Sequence, residues 1–357
     1  MMRLPKMADY YAPESLEDAC SLLDEHGKEA RILAGGTDLL VACKLRNIRP
    51  AVFVSLRKIE ELKGISFDEK EGLRIGAMSS LYEVRSNSSI IEHYPALAQA
   101  AAAVGAMELQ YMGTLGGNLC LNTRCIYYNQ SDNWRKSRPV CFKMGGGVCH
   151  VVPKGKKCYA VFSADTAPAL IALNAKVKLI SSAGERIIDL GELYTGDGKE
   201  PIDIKPGEVL SEISAPPPAR GRSSIYLKYR VREAIDFPLA GVAARMDSDG
   251  DGICSDCKVV LNAVGSGPAQ VPEAGELVKG QALKEEVINQ IAEKAVKAAH
   301  PVANTSGSTP AYRRKMAGIL TKRTLITVAQ VLGLVSVSYT HLRAHETSLH
   351  LVCRLLL

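Results

Sequence analysis

Residues 30–40 read ARILAGGTDLL, and this stretch decides how the N-terminal part of the chain folds. ARIL is a short apolar run of strand length, and Gly35-Gly36 breaks it. TDLLVACKL then reads as a helix with Thr37 available as its cap, and AVFVSL at 51–56 reads as a second strand. Strand, glycine turn, helix and strand make a small βαβ unit. Glycine lets the backbone come close to a ligand, and amides at a helix N-terminus favour an anion, so the turn suits a pyrophosphate. The patterns G-x-G-x-x-G and G-x4-G-K-[ST] are both missing. A plain tight turn capped by Thr37 fits the same residues equally well.

Working outward, SLEDACSLLDEHG at 15–27 predicts a helix, with Ser15 and Asp18 as a capping box and Gly27 as its stop. GLRIGAM at 72–78 predicts a strand. SSLYEVRSN predicts a helix with Ser79 as N-cap and Glu83 nearby, and PALAQAAAAVGA an Ala-rich helix disrupted by Gly105. GTLGGNL at 113–119 is a second glycine loop. Alone it reads as a turn; with the first it offers a clasp on a diphosphate from two sides. YAVFSADTAPALIALNAKVKLIS predicts a helix flanked by strands. A hairpin follows, and the Pro-rich PIDIKPGEVLSEISAPPPARGRSS is the expected domain boundary. Beyond it, SIYLKYRVREAIDFPLAGVAARMD and CKVVLNAVGS read as paired strands, and 284–299 and 311–332 as helices. No internal repeat is visible.

At 357 residues, with 46% hydrophobic and 23% charged residues, the chain has the make-up of a folded protein of roughly two or three domains. Its net charge is +6 without a run of five or more Lys or Arg, so no nucleic-acid footprint is expected. The positive balance suits an anionic cofactor or an acidic electron-transfer partner. No leader and no stretch of about 18 apolar residues is visible, so neither a membrane span nor secretion is expected. Ten cysteines without a leader point to a reducing, cytoplasmic location. From Ser336 the residues SVSYTHLRAHETSLHLVCRLLL resemble translated adapter read-through and are set aside as a non-native tail at 336–357.

Four cysteines fall in one polar, turn-rich window: Cys125, Cys141, Cys149 and Cys158, spaced C-x15-C-x7-C-x8-C. Thiols gathered on a loop suggest metal. The spacing matches neither a zinc ribbon nor a bacterial ferredoxin. Unrelated cysteines, structural zinc and an iron–sulfur cluster all stay open on the residues alone, with the cluster favoured. Cys120 is expected to be packed, and Trp134, Tyr127 and Tyr128 to shield the site. His150 adjoins Cys149, but sequence neighbours rarely ligate one ion together. Two other patterns are decoys. Asp247-x-Asp249-x-Asp251-Gly252 has Lys258 where a calcium loop needs Glu, and Cys254-x-x-Cys257 lacks a second pair. The histidines are scattered, and no catalytic triad stands out.

The order AGGTDLL, RIGAMSSLYEV, GTLGGNL, ADTAPALIALNA, YLKYRVREAIDF, over about residues 4–330, resembles the FAD-binding medium subunits of molybdenum hydroxylases, the xanthine dehydrogenase family. The resemblance implies an α+β fold. A two-part, vanillyl-alcohol-oxidase-like (PCMH-type) FAD domain would occupy 1–215. A small α/β domain of the CO-dehydrogenase flavoprotein type, with a three-stranded sheet, would occupy 220–335. It also implies roles. Ile32, Leu33, Ala34, Gly35, Gly36, Thr37, Asp38 and Leu39, with Thr114, Leu115, Gly116, Gly117 and Asn118, would cradle the FAD pyrophosphate. Asp165 would meet adenosine or ribityl hydroxyls, and Lys228 would approach the flavin or its phosphates. No residue of this chain would be catalytic.

The insertion at about 120–160, LCLNTRCIYYNQSDNWRKSRPVC and onward, is similar to that of the β subunit of 4-hydroxybenzoyl-CoA reductases, whose loop binds a [4Fe-4S] cluster. That likeness implies cluster ligation by Cys125, Cys141, Cys149 and Cys158. It further implies a molybdopterin-binding large subunit and a [2Fe-2S] small subunit as partners, with ferredoxin as electron donor. An ordinary purine, aldehyde or CO-oxidising enzyme, and a zinc-stapled non-catalytic assembly subunit, are the alternatives.

Overall fold

The computed structural model describes residues 8–249 and 253–334. The non-native tail expected at 336–357 lies outside them, as do Asp251 and Gly252 of the calcium-loop decoy. Three sheets follow one another along the chain. The first holds β1 (Asp9–Tyr11), β2 (Ala30–Leu33) and β3 (Val52–Ser55), all parallel, in the order β1-β3-β2. The helix Leu39–Lys44 connects β2 to β3, so the βαβ reading of 30–56 is realised. The helix Leu16–His26 packs beneath, burying Leu16, Ala19, Cys20 and Leu23. Ser15 caps it by accepting from the Asp18 amide, a contact worth about 1 kcal/mol.

The second sheet is antiparallel, in the order β4 (Ile65–Asp68), β5 (Gly72–Gly76), β8 (Val209–Ala215), β6 (Lys176–Ser181), β7 (Gly184–Asp189). Its strand β8 lies at the centre and forms the middle of the Pro-rich stretch 201–224. The prolines cluster only after β8, at 216–218, where no ladder amide is needed. Short helices cover this sheet, among them Leu81–Ser86, Pro95–Ala102 and Thr166–Ala172. The cap of Leu81–Ser86 is Ser80, not Ser79: Ser80 and Glu83 make a reciprocal capping box, while the buried Ser79 hydroxyl donates to Gly64 O. Ahead of Asp165 the expected strand is reduced to a bridge between Val161 and Arg124.

The third sheet runs β12 (Ala269–Gln270), β11 (Ile253–Asn262), β10 (Ala240–Ser248), β9 (Arg222–Tyr229), with β13 (Gln281–Ala282) also on β11. Three long strands are therefore flanked by two short edge pieces that the sequence reading did not separate from loop. Residues 240–246 of β10 are all buried, because the helix Pro310–Val331 covers one face and Thr166–Ala172 the other. Tyr226, Ala243 and Val260 of this sheet belong to the same core as Phe162 and Leu170, so apolar packing runs continuously from the second sheet into the third. Cys254 and Cys257 are both buried in β11.

Candidate cofactor site

The first sheet and the helices of the second face each other across a long groove with about 2550 Å³ of empty space, part of it open to solvent. Ile32, Ala34, Gly35, Gly36, Thr37, Asp38 and Leu39 line it from one side, and Thr114, Gly116, Gly117, Asn118 and Asp165 from another. The turn between β2 and its helix leaves a row of donors free. Among the described residues, the amides of Gly35, Gly36, Thr37 and Asp38 donate to no protein acceptor. Gly36 sits at φ +73°, a conformation glycine adopts without strain.

The second glycine segment behaves differently. It is the one-turn helix Leu115–Leu119, capped by Thr114. Its amides are spent inside the protein: Leu115 on Ser79 O, Gly116 on Ala77 O, Gly117 on Thr114 Oγ1 and Asn118 on Thr114 O. Of the two glycine segments expected to clasp a diphosphate, only the first leaves its amides free. The glycines here serve contact between segments. A Cβ on Gly35 would stand 1.9 Å from Met112 O and 3.0 Å from Gly113 Cα, and one on Gly116 would stand 2.7 Å from Ala77 Cβ.

Three residues expected at the ligand lie off the groove surface. Leu33 lies beneath Gly36 and Leu115 is buried in the core. Lys228 donates to Asp165 Oδ2 at 2.9 Å and to Ala103 O at 2.8 Å. Asp165, 3% exposed, also accepts from Tyr226 Oη at 2.6 Å, so both its oxygens are engaged by the third sheet. Burial pushes the Asp165 carboxyl up, against the pull of Lys228 and Tyr226. The pair joins the two halves of the fold at the groove floor. Asp165→Asn should leave a buried ammonium uncompensated and cost about 3–5 kcal/mol, read as a lower urea midpoint at unchanged slope. A double Asp165→Leu, Lys228→Met variant should be milder than either single change. A loss under about 1 kcal/mol for Asp165→Asn would show that the pair is not held as ions.

The basic lining carries no motif: Lys28 and Arg31, Arg124, and Lys205 reach the groove from three segments far apart in sequence. Arg124 pairs with Asp38 and lies over the Phe237 ring, 5.0 Å from its centroid. Cys120 also lines the groove, and burial pushes its thiol up to about 12, which makes it a packed, unreactive group.

Cys125, Cys141, Cys149 and Cys158, the four cysteines of the window, line one recess with about 330 Å³ of empty space, shared with Tyr127, Tyr128 and Lys143. The Val152 amide donates to Cys149 Sγ at 3.4 Å, and the backbone at Tyr127 and Tyr128 beside Cys125 and at Ala160 beside Cys158 pulls those two thiols toward thiolate. Such bonds favour thiolate and set the potential of a thiolate-held cluster. Burial still holds the Cys125 and Cys158 thiols above the usual value. Among the described residues no group of three or more His, Cys, Asp or Glu is drawn together as it would be around a metal ion. Tyr127 stacks on His150, whose Nε2 is 2.8 Å from Pro139 O, and Trp134 backs Tyr127 at 5.8 Å. Trp134 does not line the recess itself. Arg135 fastens the loop to the body through Arg46 O and Asn47 Oδ1. The window 120–160 carries eight Lys and Arg against one Asp, which exceeds the net +6 of the whole chain.

An elongated groove with free amides at one end and basic side chains along it has the chemistry to hold a dinucleotide, and the α+β frame around it is that of a flavoprotein. The model of the FAD binding domain in molybdopterin dehydrogenase matches residues 5–218, and that of the CO dehydrogenase flavoprotein C-terminal domain matches 225–328. The chain belongs to this family of FAD-binding subunits of molybdenum-hydroxylase-type oxidoreductases. It is 30% identical to the aldehyde oxidoreductase FAD-binding subunit PaoB of Escherichia coli over 82% of this chain and 90% of that one. It is 28% identical to the carbon monoxide dehydrogenase medium chain of Afipia carboxidovorans over 90% and 96%. Among solved structures, CO dehydrogenase from Oligotropha carboxidovorans superposes with a TM-score of 0.75 at 26% identity, covering 91% of this chain and 99% of that one. No helix among the described residues is long and apolar enough to cross a membrane.

Proposed function

We propose that this chain is an electron-transfer flavoprotein subunit that holds FAD in the long groove and a [4Fe-4S] cluster in the cysteine recess. The observation that carries the cluster is that four thiols from one insertion line a single recess, with the Val152 amide donating to the Cys149 sulfur. The matched family descriptions name flavin and not iron, so this half of the reading rests on the thiols. The two sites meet along one segment. Asn122 and Arg124 line the groove, and the next residue, Cys125, lines the recess. FAD, when bound, exchanges one or two electrons and so links one-electron carriers to two-electron chemistry. The chain's own work is to seat the pyrophosphate on the 35–38 amides, to offset its charge with Arg31 and Lys205, and to keep water from the sulfurs with Tyr127 and Tyr128.

The reading extends to 4-hydroxybenzoyl-CoA reduction, with a molybdopterin-binding large subunit, a [2Fe-2S] small subunit and ferredoxin as electron donor, in the cytoplasm. Support is the cysteine insertion and its basic surface, which suits an acidic carrier. A second reading has equal support from the relatives, whose names are those of CO, xanthine and aldehyde enzymes. Here the chain serves an oxidising dehydrogenase, because the substrate pocket lies on another subunit. Anaerobic purification of the complex tests the common core. One flavin and about four irons per copy of this chain, beyond those of the partner chains, are expected. Flavin without the extra iron would leave only the second reading. Colourless protein containing zinc would overturn both.

A further inference from the structure

Lys143 makes no ion pair among the described residues, and the Asp197 carboxylate acts on it only from beyond contact distance. Among the described residues, no Asp or Glu oxygen comes within 4.0 Å of its Nζ. The ammonium instead donates to Asn122 Oδ1 at 2.8 Å, Thr123 Oγ1 at 2.6 Å and Gly198 O at 2.6 Å, and faces the Tyr128 ring 5.2 Å from its centroid. All four partners are neutral, and Thr123 is 1% exposed. Withdrawing a cation from water among neutral dipoles is costly unless an anion stands close. The groups that share the recess with this cation are the four thiols. One of its acceptors, Asn122, lies in the wall of the flavin groove.

We propose that Lys143 is a positioning residue for the cysteine-held cluster: its ammonium is the fixed countercharge of the cage, and it pins the cage to the 122–123 segment that borders the flavin. The inference rests on the reading of the recess as a cluster site. Adding an electron to a thiolate-ligated cluster makes it more negative, so a cation at fixed distance stabilises the reduced form more than the oxidised one and raises the potential. The three hydrogen bonds keep that cation from swinging out to solvent.

The test compares Lys143→Met and Lys143→Arg in the assembled complex, by iron and flavin content and by redox titration of the cluster's EPR signal. Lys143→Met should keep its iron and flavin and make the cluster about tenfold harder to reduce, a 59 mV fall for one electron. Lys143→Arg should stay near the wild-type potential. Iron lost from Lys143→Met but kept by Lys143→Arg also supports a charge role. An unmoved potential in iron-replete Lys143→Met, or iron lost from both variants, overturns it. Wild-type protein without the extra iron would sink the cluster reading itself, and this inference with it.

Discussion

Gly35→Ala should yield protein that retains almost no flavin and unfolds at a lower temperature. The added methyl would sit 1.9 Å from Met112 O, a backbone atom that cannot rotate aside. Either the 35–38 turn lifts off the 112–113 segment or the groove wall spreads; both displace the amides that face the anion. Forcing atoms into a packed contact costs about 1–3 kcal/mol or more. At about 3 kcal/mol the Tm of a domain this size falls by roughly 6–12 °C. Gly147→Ala is the control, because nothing lies within 4 Å of its added Cβ. Gly35→Ala with full flavin occupancy and unchanged Tm would place the pyrophosphate elsewhere and show the two segments to be loosely seated. Gly36→Val acts differently. Its Cβ would meet only the flexible ends of Leu33 and Leu40, so the strain of a β-branched residue at φ +73° dominates, about 1–3 kcal/mol.

Cys141→Ser should strip about four irons from each chain and leave the flavin at wild-type occupancy. Serine keeps the shape of the side chain but loses the soft thiolate that iron prefers. The recess and the groove share only the 122–125 segment, so losing the cluster should not open the flavin site. Iron and flavin assays on the same preparation read both quantities at once. Loss of flavin with iron intact would contradict the assignment of both sites. Cys120→Ser makes the contrast: its thiol lines the groove and not the recess, so the iron should be unaffected.

Much of the site was legible because its parts are local. The strand-turn-helix at 30–44 announces itself through ARIL, two glycines and a helical run, and the free amides follow from that geometry alone. The cysteine window is one insertion, so its four thiols are neighbours in sequence before they are neighbours in space. The basic lining could not be read, since Lys28, Arg124 and Lys205 come from three different segments. Nor could the fate of Lys228. An Asp and a Lys 63 positions apart give no sign of pairing, and only the packing of the Thr166–Ala172 helix on the β10 and β11 side of the third sheet brings them together.

By itself the sequence determined most of the elements, the turn with free amides and the grouping of the thiols, because each depends on residues within one turn, strand or loop. Tertiary structure alone decided which glycines leave their amides free and which are pressed against protein. It also decided that one glycine segment spends its amides internally. Those outcomes depend on packing between distant segments, where a single carbonyl, such as Met112 O against Gly35, settles what the space is for.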